Sequence, residues 1–381
     1  MAFKNKIRQN PSIGRARASK TQIIATIGPA SEKRIAEMYN AGLTGVRINS
    51  SHGSPEEHAE IIETARRISK KIFIIYDIKG PKIRIGDIPH PVHLAAGAEL
   101  VLNTGYEKSA NGYPAARDLK RGIPVTFENL HKYVAPGDRL LLDDGLIGLK
   151  VSFVRGRKIA CKVLYGDVLR SRKGINHPDT VIDFPYTTKD DVPRISFAVQ
   201  NGVDYIADSF ERNADDVREL RTRLASTGIG IISKIENPEG VRNFNGILKE
   251  TDAVMIARGD LGVELDPWEI PETQKTLIEK CNFSGTPVIT ATQMLESMID
   301  EPRPKRSDVS DIANAIYDGT DAVMLSGETS TGAHPVLCVD MMEKIIKKTE
   351  STARYKKKKR RVNCLRVRVK MEGGRVKRWR V

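Results

Sequence analysis

Eight short β-rich segments recur along this chain, and helical segments separate them. Most of the eight are nearly continuous apolar runs rather than alternating ones, which is typical of parallel strands covered on the outside by helices. They read TQIIATIG, GVRINS, KIFIIYDIK, DYIADSF, IGIISKIE, DAVMIARG, PVITATQ and DAVMLSGE. Eight β–α repeats that close on themselves describe a TIM barrel, so we predict a (β/α)8 barrel of the α/β class. A doubly wound open sheet is the structural alternative, although the sequence has no glycine-rich dinucleotide-binding turn.

The segments between the strands carry start and stop signals for helices. Ser54 precedes Pro55 and two glutamates, which predicts a capped helix start, and Ser31 and Gly42 predict the two ends of the first helix. The repeat is interrupted once, after the third strand, by about a hundred residues (87–185) that are rich in Gly and Pro and contain short β-like pieces. We expect a small β-barrel domain there, inserted as a lid beside the barrel mouth.

The same pattern predicts how the whole chain is divided. We expect a basic N-terminal arm at 1–20, barrel segments at 21–86 and 186–350, the inserted β lid domain at 87–185, and a poorly ordered basic tail at 351–381.

Positive charge is concentrated at the two ends of the chain. The formal net charge is +14, but residues 354–381 hold 14 Lys and Arg against one acid, Glu372. Residues 1–20 hold six Lys and Arg and no acid, which leaves the body at a net charge of −5. A nucleic-acid interaction can therefore rest only on the tails.

Composition also restricts the compartment. No apolar run approaches the ~18 residues of a membrane helix, and the first 20 residues have no apolar core that would make them a secretory signal. The four cysteines are scattered without a CxxC pair, which favours a reducing cytosol with no structural zinc or disulfide. We predict a cytoplasmic protein with no membrane partner.

Polar side chains recur where the predicted strands end. In a TIM barrel those ends meet at one mouth, which is where the active site lies. The residues concerned are Arg47 and Asn49, Asp77 and Lys79, Lys234 and Glu236, Arg258 and Asp260, Thr292, Ser326 and Glu328.

Lys234 and Glu236 stand two residues apart on one strand and therefore on the same face. With Asp260 from the next strand end, Glu236 offers the hard oxygen ligands that Mg²⁺ or Mn²⁺ prefers. An adjacent lysine can neutralise the negative charge on a phosphoryl group in transfer, and Arg47 and Arg84 can add further positive charge. Ordinary salt bridges around a polar mouth are the alternative.

Other motifs are weaker or absent. The hydroxyls of Thr292 and Ser326, with Glu328, can hold a water or relay a proton, but they serve equally well as caps and turn formers. The sequence contains no GxxxxGK[ST], HExxH or GxSxG motif, and its seven histidines do not cluster. A P-loop kinase, a zinc protease and a nucleophile-elbow hydrolase are therefore disfavoured.

Taken in order, the motifs identify a family. The chain resembles pyruvate kinases over about residues 20 to 350, through TQIIATIGPAS, GVRINSSHG, DIKGPKIRIG, DDGLI, SKIENPEGV, MIARGDLGVE and the long stretch from Pro287 to Thr329. The resemblance implies transfer of a phosphoryl group from phosphoenolpyruvate to ADP, with pyruvate and ATP as products. It also implies Mg²⁺ or Mn²⁺ as cofactor and a homo-oligomer formed through the barrel.

The resemblance also implies a role for each matching residue. Lys234 corresponds to the lysine that stabilises the phosphoryl group, and Glu236 and Asp260 correspond to the divalent-metal ligands. The phosphate-binding arginines of the family match Arg47 and Arg84, with Lys79 between them. Its substrate-binding residues match Arg258, Gly259, Asp260 and Thr292, and its nucleotide side matches Pro29, Asn49, His52 and Arg84. Its monovalent-cation ligands match Asn49, Ser51, Asp77 and Ile78, and the region beside the site of enolate protonation matches Ser326 and Glu328.

Three features depart from the family pattern. Lys82 stands where potassium-dependent members carry Glu, and Ile78 replaces a Thr, so we expect that K⁺ is not required. Ser50 stands where the family usually has Phe, which is expected to loosen local packing. The basic tail stands where a regulatory α/β domain normally follows, which puts effector binding and part of the usual tetramer in doubt.

Two alternatives to a pyruvate kinase follow from the same residues. One is another metal-dependent barrel enzyme acting on phosphoenolpyruvate or pyruvate, such as an aldolase or lyase. The other is a catalytically idle barrel that binds nucleic acid through its basic tail.

Overall fold

The computed structural model describes residues 19–107, 109, 113–180, 182, 187–357 and 365. The predicted N-terminal arm, apart from its last two residues, lies outside the described part. So does the predicted basic tail beyond Lys357, apart from Leu365. The nucleic-acid interaction expected of these ends therefore falls on residues that are not described.

The chain begins with three strands and two helices. They are β1 (Gln22–Thr26), α1 (Ile35–Ala41), β2 (Gly45–Asn49), α2 (Pro55–Ile68) and β3 (Phe73–Ile78).

Among the described residues, eight strands follow before the next α-helix. They are β4 (Val92–His93), β5 (Glu99–Asn103), β6 (Ile123–Pro124), β7 (Arg139–Leu142), β8 (Ile147–Arg155), β9 (Lys158–Tyr165), β10 (Val168–Leu169) and β11 (Ile175–Asn176).

The remaining elements resume the alternation of helix and strand. They are α3 (Asp191–Gln200), β12 (Tyr205–Asp208), α4 (Ala214–Arg223), β13 (Gly230–Ile235), α5 (Pro238–Arg242), α6 (Phe244–Glu250), β14 (Ala253–Ala257), α7 (Arg258–Glu264), α8 (Ile270–Ser284), β15 (Val288–Ala291), α9 (Arg306–Asp318), β16 (Ala322–Leu325), α10 (Gly327–Ser330), α11 (Pro335–Ser351) and α12 (Ala353–Lys357).

Eight parallel strands close into a barrel in the order β1-β16-β15-β14-β13-β12-β3-β2. The closure is complete because β1 pairs with both β2 and β16. The predicted TIM-barrel fold is confirmed, and the open-sheet alternative is excluded. Asn49 is in register with Asp77, and Lys234 with Met255, so the carboxyl ends of neighbouring strands lie at one level and form a common mouth.

The part of the chain from β4 to β11, between β3 and α3, forms a second body. Six of its strands make a sheet in the order β11-β7-β8-β9-β5-β6, and β10 pairs with β4. This sheet has its own apolar cluster, which includes Leu102, Leu140, Leu149 and Ile159. A lid-like sheet is thus present where the sequence predicted an insertion, while the domain boundaries given above stay predictions.

The interior of the barrel changes character along its axis. On β3, Phe73 and Ile75 belong to the apolar cluster at the amino end of the strands, and Asp77 continues the same inward face at the carboxyl end. Gly45 makes room for this packing, because a Cβ there would lie 2.2 Å from the Phe73 ring. Leu365 joins the apolar cluster from the far end of the chain.

Helix ends follow the local signals in part. The predicted Ser54 cap is confirmed, because its side chain accepts a hydrogen bond from the Glu57 N–H in a full capping box. The predicted Ser31 cap is wrong. Ser31 precedes a 3-10 turn, its hydroxyl accepts from the Gly28 N–H, and α1 begins only at Ile35.

The helices in the described part of the chain are all too short or too polar to cross a membrane.

Candidate active site

A cavity of about 800 Å³ opens at the carboxyl ends of the barrel strands, facing the second body. Most of its lining residues are polar or charged. Those with a predicted role are Arg47, Asn49, Ser51, His52, Asp77, Lys79, Lys82, Arg84, Lys234, Arg258, Gly259 and Asp260.

The ammonium of Lys234 has three polar partners at the wall of this cavity. Its Nζ lies 3.0 Å from Glu236 Oε1, 3.2 Å from Asp77 Oδ1 and 2.7 Å from Ser209 Oγ. Burial acts to lower the pKa of Lys234, but the charges of Asp77 and Glu236 outweigh burial and raise it. The ammonium is therefore a permanent, fixed positive charge at the cavity wall.

Asp77 links that ammonium to Arg47. Its Oδ2 accepts a hydrogen bond from Arg47 Nε at 2.8 Å, and Arg47 Nη1 also donates to the Thr26 hydroxyl. Burial acts to raise the pKa of Asp77, but the charges of Arg47 and Lys234 hold it below its usual range. Asp77 stays ionised and orients two cations that line the same cavity.

Glu236 lies behind Lys234 and is 1% exposed. Its Oε2 accepts the Phe210 N–H at 2.9 Å. Burial raises the pKa of Glu236 to about 7 in spite of the Lys234 charge, and the negative charges of Asp260 and Asp77 add to the rise. Its anionic form therefore gains from any further cation brought into the site.

Asp260 lies just after β14, the strand next to β13, and is the more exposed of the two predicted metal ligands. Its Oδ1 accepts from Lys82 Nζ at 2.7 Å, and Lys82 also reaches Asp144 of the second body at 3.2 Å. Burial acts to lower the pKa of Lys82, but Asp260 and Asp144 together raise it. Lys82 therefore holds a charged bridge between barrel and lid.

The donor set fits a divalent cation that takes part of its coordination from a substrate. Asp260 lines the cavity, and Glu236 lies just behind its wall, close enough for the two carboxylates to interact. Mg²⁺ commonly binds through one or two carboxylates plus substrate phosphate and water. The described residues contain no group of three or more His, Cys, Asp or Glu that would hold a metal by themselves. The protein offers an incomplete shell of the kind that a phosphorylated ligand completes.

Thr292 and Gly259 meet beside Asp260. The Gly259 N–H donates to Thr292 Oγ1 at 2.8 Å, and this hydroxyl donates in turn to the Ala291 carbonyl. The guanidinium of Arg258 donates to the Thr292 carbonyl, in the loop after β15, and to Asp311 Oδ2. Of the predicted substrate-binding residues, Arg258 thus reaches the cavity edge with its side chain already engaged.

Ser326 and Glu328 lie deeper than the cavity lining. Both Glu328 oxygens accept backbone N–H groups, from Leu295 at 3.0 Å and from Ser326 at 2.7 Å, and the residue is fully buried. These bonds give Glu328 a structural role in joining two loops. Ser326 Oγ is buried and has no hydrogen-bond partner among the described residues.

The other predicted residues are distributed around the mouth. Arg84 lines the cavity, and its Nη1 donates to the Arg172 carbonyl of the second body at 3.0 Å. The carbonyl of Ile78 already accepts the Ser209 hydroxyl at 2.7 Å. Pro29 is exposed and is not among the cavity-lining residues.

Several lining residues were not predicted from the sequence. They are Asp144, Ser209, Phe210, Gln293 and Asp311. Ser209 and Phe210 directly follow β12, so the rule that strand ends meet at the mouth could have found them. Asp144 and Asp311 arrive from the second body and from α9, and only the three-dimensional arrangement brings them to the site.

Comparison with known proteins identifies relatives of the chain. The family model for the barrel domain of pyruvate kinase matches residues 18–339. Pyruvate kinase from Bacillus licheniformis is 44% identical over 350 residues, which are 89% of this chain and 58% of that protein. The Geobacillus stearothermophilus enzyme is 45% identical over 88% of this chain and 58% of its own length.

A relative from Thermococcus litoralis, also named pyruvate kinase, is 46% identical over 343 residues, or 87% of this chain and 70% of that protein. The chain thus spans a little over half the length of the first two relatives and more of the third. On the extent of the barrel-domain match and of these identities, the chain belongs to the pyruvate kinase family.

Proposed function

We propose that this chain is a phosphotransferase that moves the phosphoryl group of phosphoenolpyruvate to ADP, giving pyruvate and ATP. The observation that carries the proposal is the position of Lys234. Its ammonium is buried, bonded on one side to Asp77 and Glu236, and still lines the cavity. A fixed cation of this kind stabilises charge on a phosphoryl group in transit without having to reorganise.

The cations on the cavity wall support binding of a phosphorylated acid. Arg47 is held in place by Asp77 and Thr26, and Arg84 is held by its bond to the second body. Because both side chains are fixed before a ligand arrives, little conformational entropy is lost when they bind phosphate oxygens. We assign them to the phosphate, and Asn49 and His52 to the nucleotide side of the mouth.

Glu236 and Asp260 are the residues that would hold Mg²⁺ or Mn²⁺. When bound, the cation would supply positive charge to the phosphoryl oxygens and to the substrate carboxylate. The chain's own part is to hold Glu236 beside Lys234 and Asp260 beside Lys82, and to present Gly259 and Thr292 next to Asp260.

The reaction also needs a proton. Once the bridging P–O bond of phosphoenolpyruvate is broken, the remaining enolate must accept a proton at its methylene carbon to give pyruvate. The candidates for this step are the hydroxyls of Thr292 and Ser326. Ser326 Oγ has no hydrogen-bond partner among the described residues and can therefore bind a water. We assign both to the protonation step, whereas Glu328 acts by fixing their loops.

Potassium independence is part of the proposal. Lys82 lines the same cavity as Asn49, Ser51 and Asp77, which correspond to monovalent-cation ligands of the family. Its ammonium supplies a permanent charge where such a cation would act. We expect equal turnover in sodium, Tris and potassium buffers, and we expect Lys82→Met to lose about tenfold or more of that turnover and to become stimulated by K⁺. A large K⁺ activation of the unmodified chain would contradict this assignment.

We further propose that the enzyme works in glycolysis in the cytoplasm, as a homo-oligomer formed through its barrel. The names of the relatives support the pathway, and the scattered cysteines support the compartment. The exposed aromatic residues Trp268, just before α8, and Phe283, in its last turn, support a protein contact on that side of the barrel.

The test is turnover by the purified 381-residue chain. With Mg²⁺, phosphoenolpyruvate and ADP, we expect ATP and pyruvate to form in equal amounts, and omission of ADP should stop pyruvate formation. Pyruvate released without ADP, or through cleavage of an aldol substrate, would favour a lyase or aldolase. Absence of any turnover at saturating substrates and metal would reject the proposed activity.

A further inference from the structure

We propose that Arg258 is a positioning residue that holds the loop after β15 in the one conformation from which Thr292 can serve the reaction. This inference rests on the proposed function, and it assigns Arg258 an action through Thr292 rather than contact with the substrate.

The Arg258 guanidinium collects consecutive carbonyl groups of that loop. Nη2 donates to the carbonyl of Thr292 at 2.5 Å and to that of Gln293 at 3.1 Å, and Nε faces the carbonyl of Ala291 at 3.4 Å. The residue is only 8% exposed. Charge-assisted hydrogen bonds made away from water are among the strongest polar contacts in proteins.

The loop needs such support because its backbone is strained. Thr292 has φ +67° and Gln293 has φ +53°. The left-handed region is sterically unfavourable for a residue with a Cβ, and a β-branched side chain such as that of Thr292 is especially disfavoured there. Two such residues in succession persist only where their surroundings fix them, and the Arg258 fork supplies that constraint.

The strained turn has a direct consequence for the site. It brings Thr292 Oγ1 to 2.8 Å from the Gly259 N–H. Gly259 and Asp260 directly follow Arg258 at the start of α7. Arg258 therefore joins two neighbouring strand ends, since its backbone leads to the predicted metal ligand and its side chain fixes the predicted catalytic hydroxyl.

The guanidinium is itself held from the opposite side. Nη1 donates to Asp311 Oδ2 on α9 at 2.6 Å and lies 3.4 Å from Gln274 Oε1 on α8. The planar fork of arginine can satisfy these partners and the loop carbonyls together. A lysine ammonium, as a single compact charge, cannot reach both sets at once.

A double-mutant cycle tests whether Arg258 acts through Thr292. We expect Arg258→Lys to lower kcat by about 10- to 100-fold while KM for phosphoenolpyruvate changes by less than about threefold. In a Thr292→Ala background the same substitution should cost less than about threefold, because the group it positions is already gone. Lys275→Ala, which removes the pair with Asp318 between α8 and α9, is the matched control and should leave kcat unchanged.

Additive effects in this cycle, or a change confined to KM, would overturn the proposal. If Arg258→Lys does not fold, Asp311→Asn replaces it, because it weakens the anchor while keeping the shape of the side chain. The same lowered kcat and the same loss of effect in the Thr292→Ala background are then expected, at a smaller size.

A second readout does not depend on turnover. Amide hydrogen exchange of Gly259, whose N–H is bonded to Thr292 Oγ1, should become about tenfold faster or more in Arg258→Lys and stay unchanged in Lys275→Ala. Unchanged exchange in Arg258→Lys would overturn the positioning role. If the unmodified chain shows no turnover but this exchange result holds, the proposed activity fails and the positioning role of Arg258 stands.

Discussion

The two ends of the barrel interior use the same backbone pattern for opposite purposes. At the amino end, Phe73, Ile75 and Ile232 point inward and form a dry apolar cluster. One step further along the same strands, Asp77 and Lys234 occupy the inward face and pair with each other.

This difference assigns stabilisation of the fold to the amino end of the barrel and the proposed chemistry to the carboxyl end. Burial of apolar side chains at the amino end is favourable by itself. Burial of charges at the carboxyl end costs free energy, and paired ions offset that cost only in part. The charged mouth therefore contributes little to the stability of the fold and depends on the apolar end for it.

The largest expected effect comes from the mouth. Lys234→Met should lower turnover by about a thousandfold or more, because it removes the fixed cation next to the phosphoryl group. Binding of phosphoenolpyruvate, measured by calorimetry, should change much less. Ile232→Val, two residues earlier on the same inward face, is the control and should cost about 0.5–1.5 kcal/mol of stability with turnover retained. Near-normal turnover in Lys234→Met would make the assigned role wrong.

The opposite pattern is expected at the amino end. Phe73→Ala should lower the free energy of unfolding by about 3–5 kcal/mol, because the ring fills the space over Gly45 and packs edge-on against Tyr205. Turnover per folded molecule should remain. Phe283→Ala is the matched control, since Phe283 is 97% exposed, and chemical denaturation should find its stability within about 0.5 kcal/mol of the unmodified chain.

Leu365 tests how far the apolar end extends. Its backbone N–H donates to Gln22 Oε1 at 2.8 Å, its carbonyl accepts from Gln22 Nε2 at 3.1 Å, and its side chain is 3% exposed. Leu365→Ala should lower the free energy of unfolding by about 2 kcal/mol. The exposed Leu337 offers the control substitution. Equal stability for Leu365→Ala and the unmodified chain would mean that the contact adds nothing in solution.

The smallest effect concerns Glu211, a buried carboxyl outside the mouth that forms no ion pair within the described part of the chain. Glu211 is fully buried, and desolvation, together with Asp208 and then Asp216, raises its pKa well above the usual value, while Ser233 and Arg221 oppose the rise. A raised folded-state pKa means that the folded protein holds this proton more tightly. The corresponding stability is present at acidic pH and is lost as pH rises through the folded pKa.

Glu211→Gln should therefore be more stable than the unmodified chain at pH 8, by about 1 kcal/mol, and show a smaller advantage at pH 5. Thermal unfolding across this pH range measures the difference. The exposed Glu279→Gln controls for loss of one charge. An advantage that is equal at both pH values would show that Glu211 is not the titrating group.

The barrel and its mouth could be predicted from the sequence because both follow from short-range patterns. Apolar runs at regular intervals specify parallel strands, and the spacing of Lys234 and Glu236 places them on one face. The capping box at Ser54 is also local. In each case the physical cause lies within a few residues of its effect.

Contacts between distant segments could not be predicted in this way. Asp144 of the second body meets Lys82 at the mouth. Arg258 bonds to carbonyl groups of the loop after β15, more than 30 residues further along the chain. Ser31 resembles a helix cap in sequence, yet its hydroxyl accepts a hydrogen bond from the Gly28 N–H instead of capping α1. These outcomes depend on which partner is nearer in three dimensions.

Titration of Mn²⁺ tests most directly whether groups from separate strand ends share one ion and its phosphorylated ligand. Electron paramagnetic resonance should find a single class of bound Mn²⁺ that phosphoenolpyruvate tightens. Glu236→Gln and Asp260→Asn should each weaken the affinity for Mn²⁺ by about tenfold or more. Glu264 is a buried carboxyl of α7 bonded to Asn176, and Glu264→Gln should leave this affinity unchanged. Mn²⁺ binding that is the same in all three variants and indifferent to phosphoenolpyruvate would contradict the account.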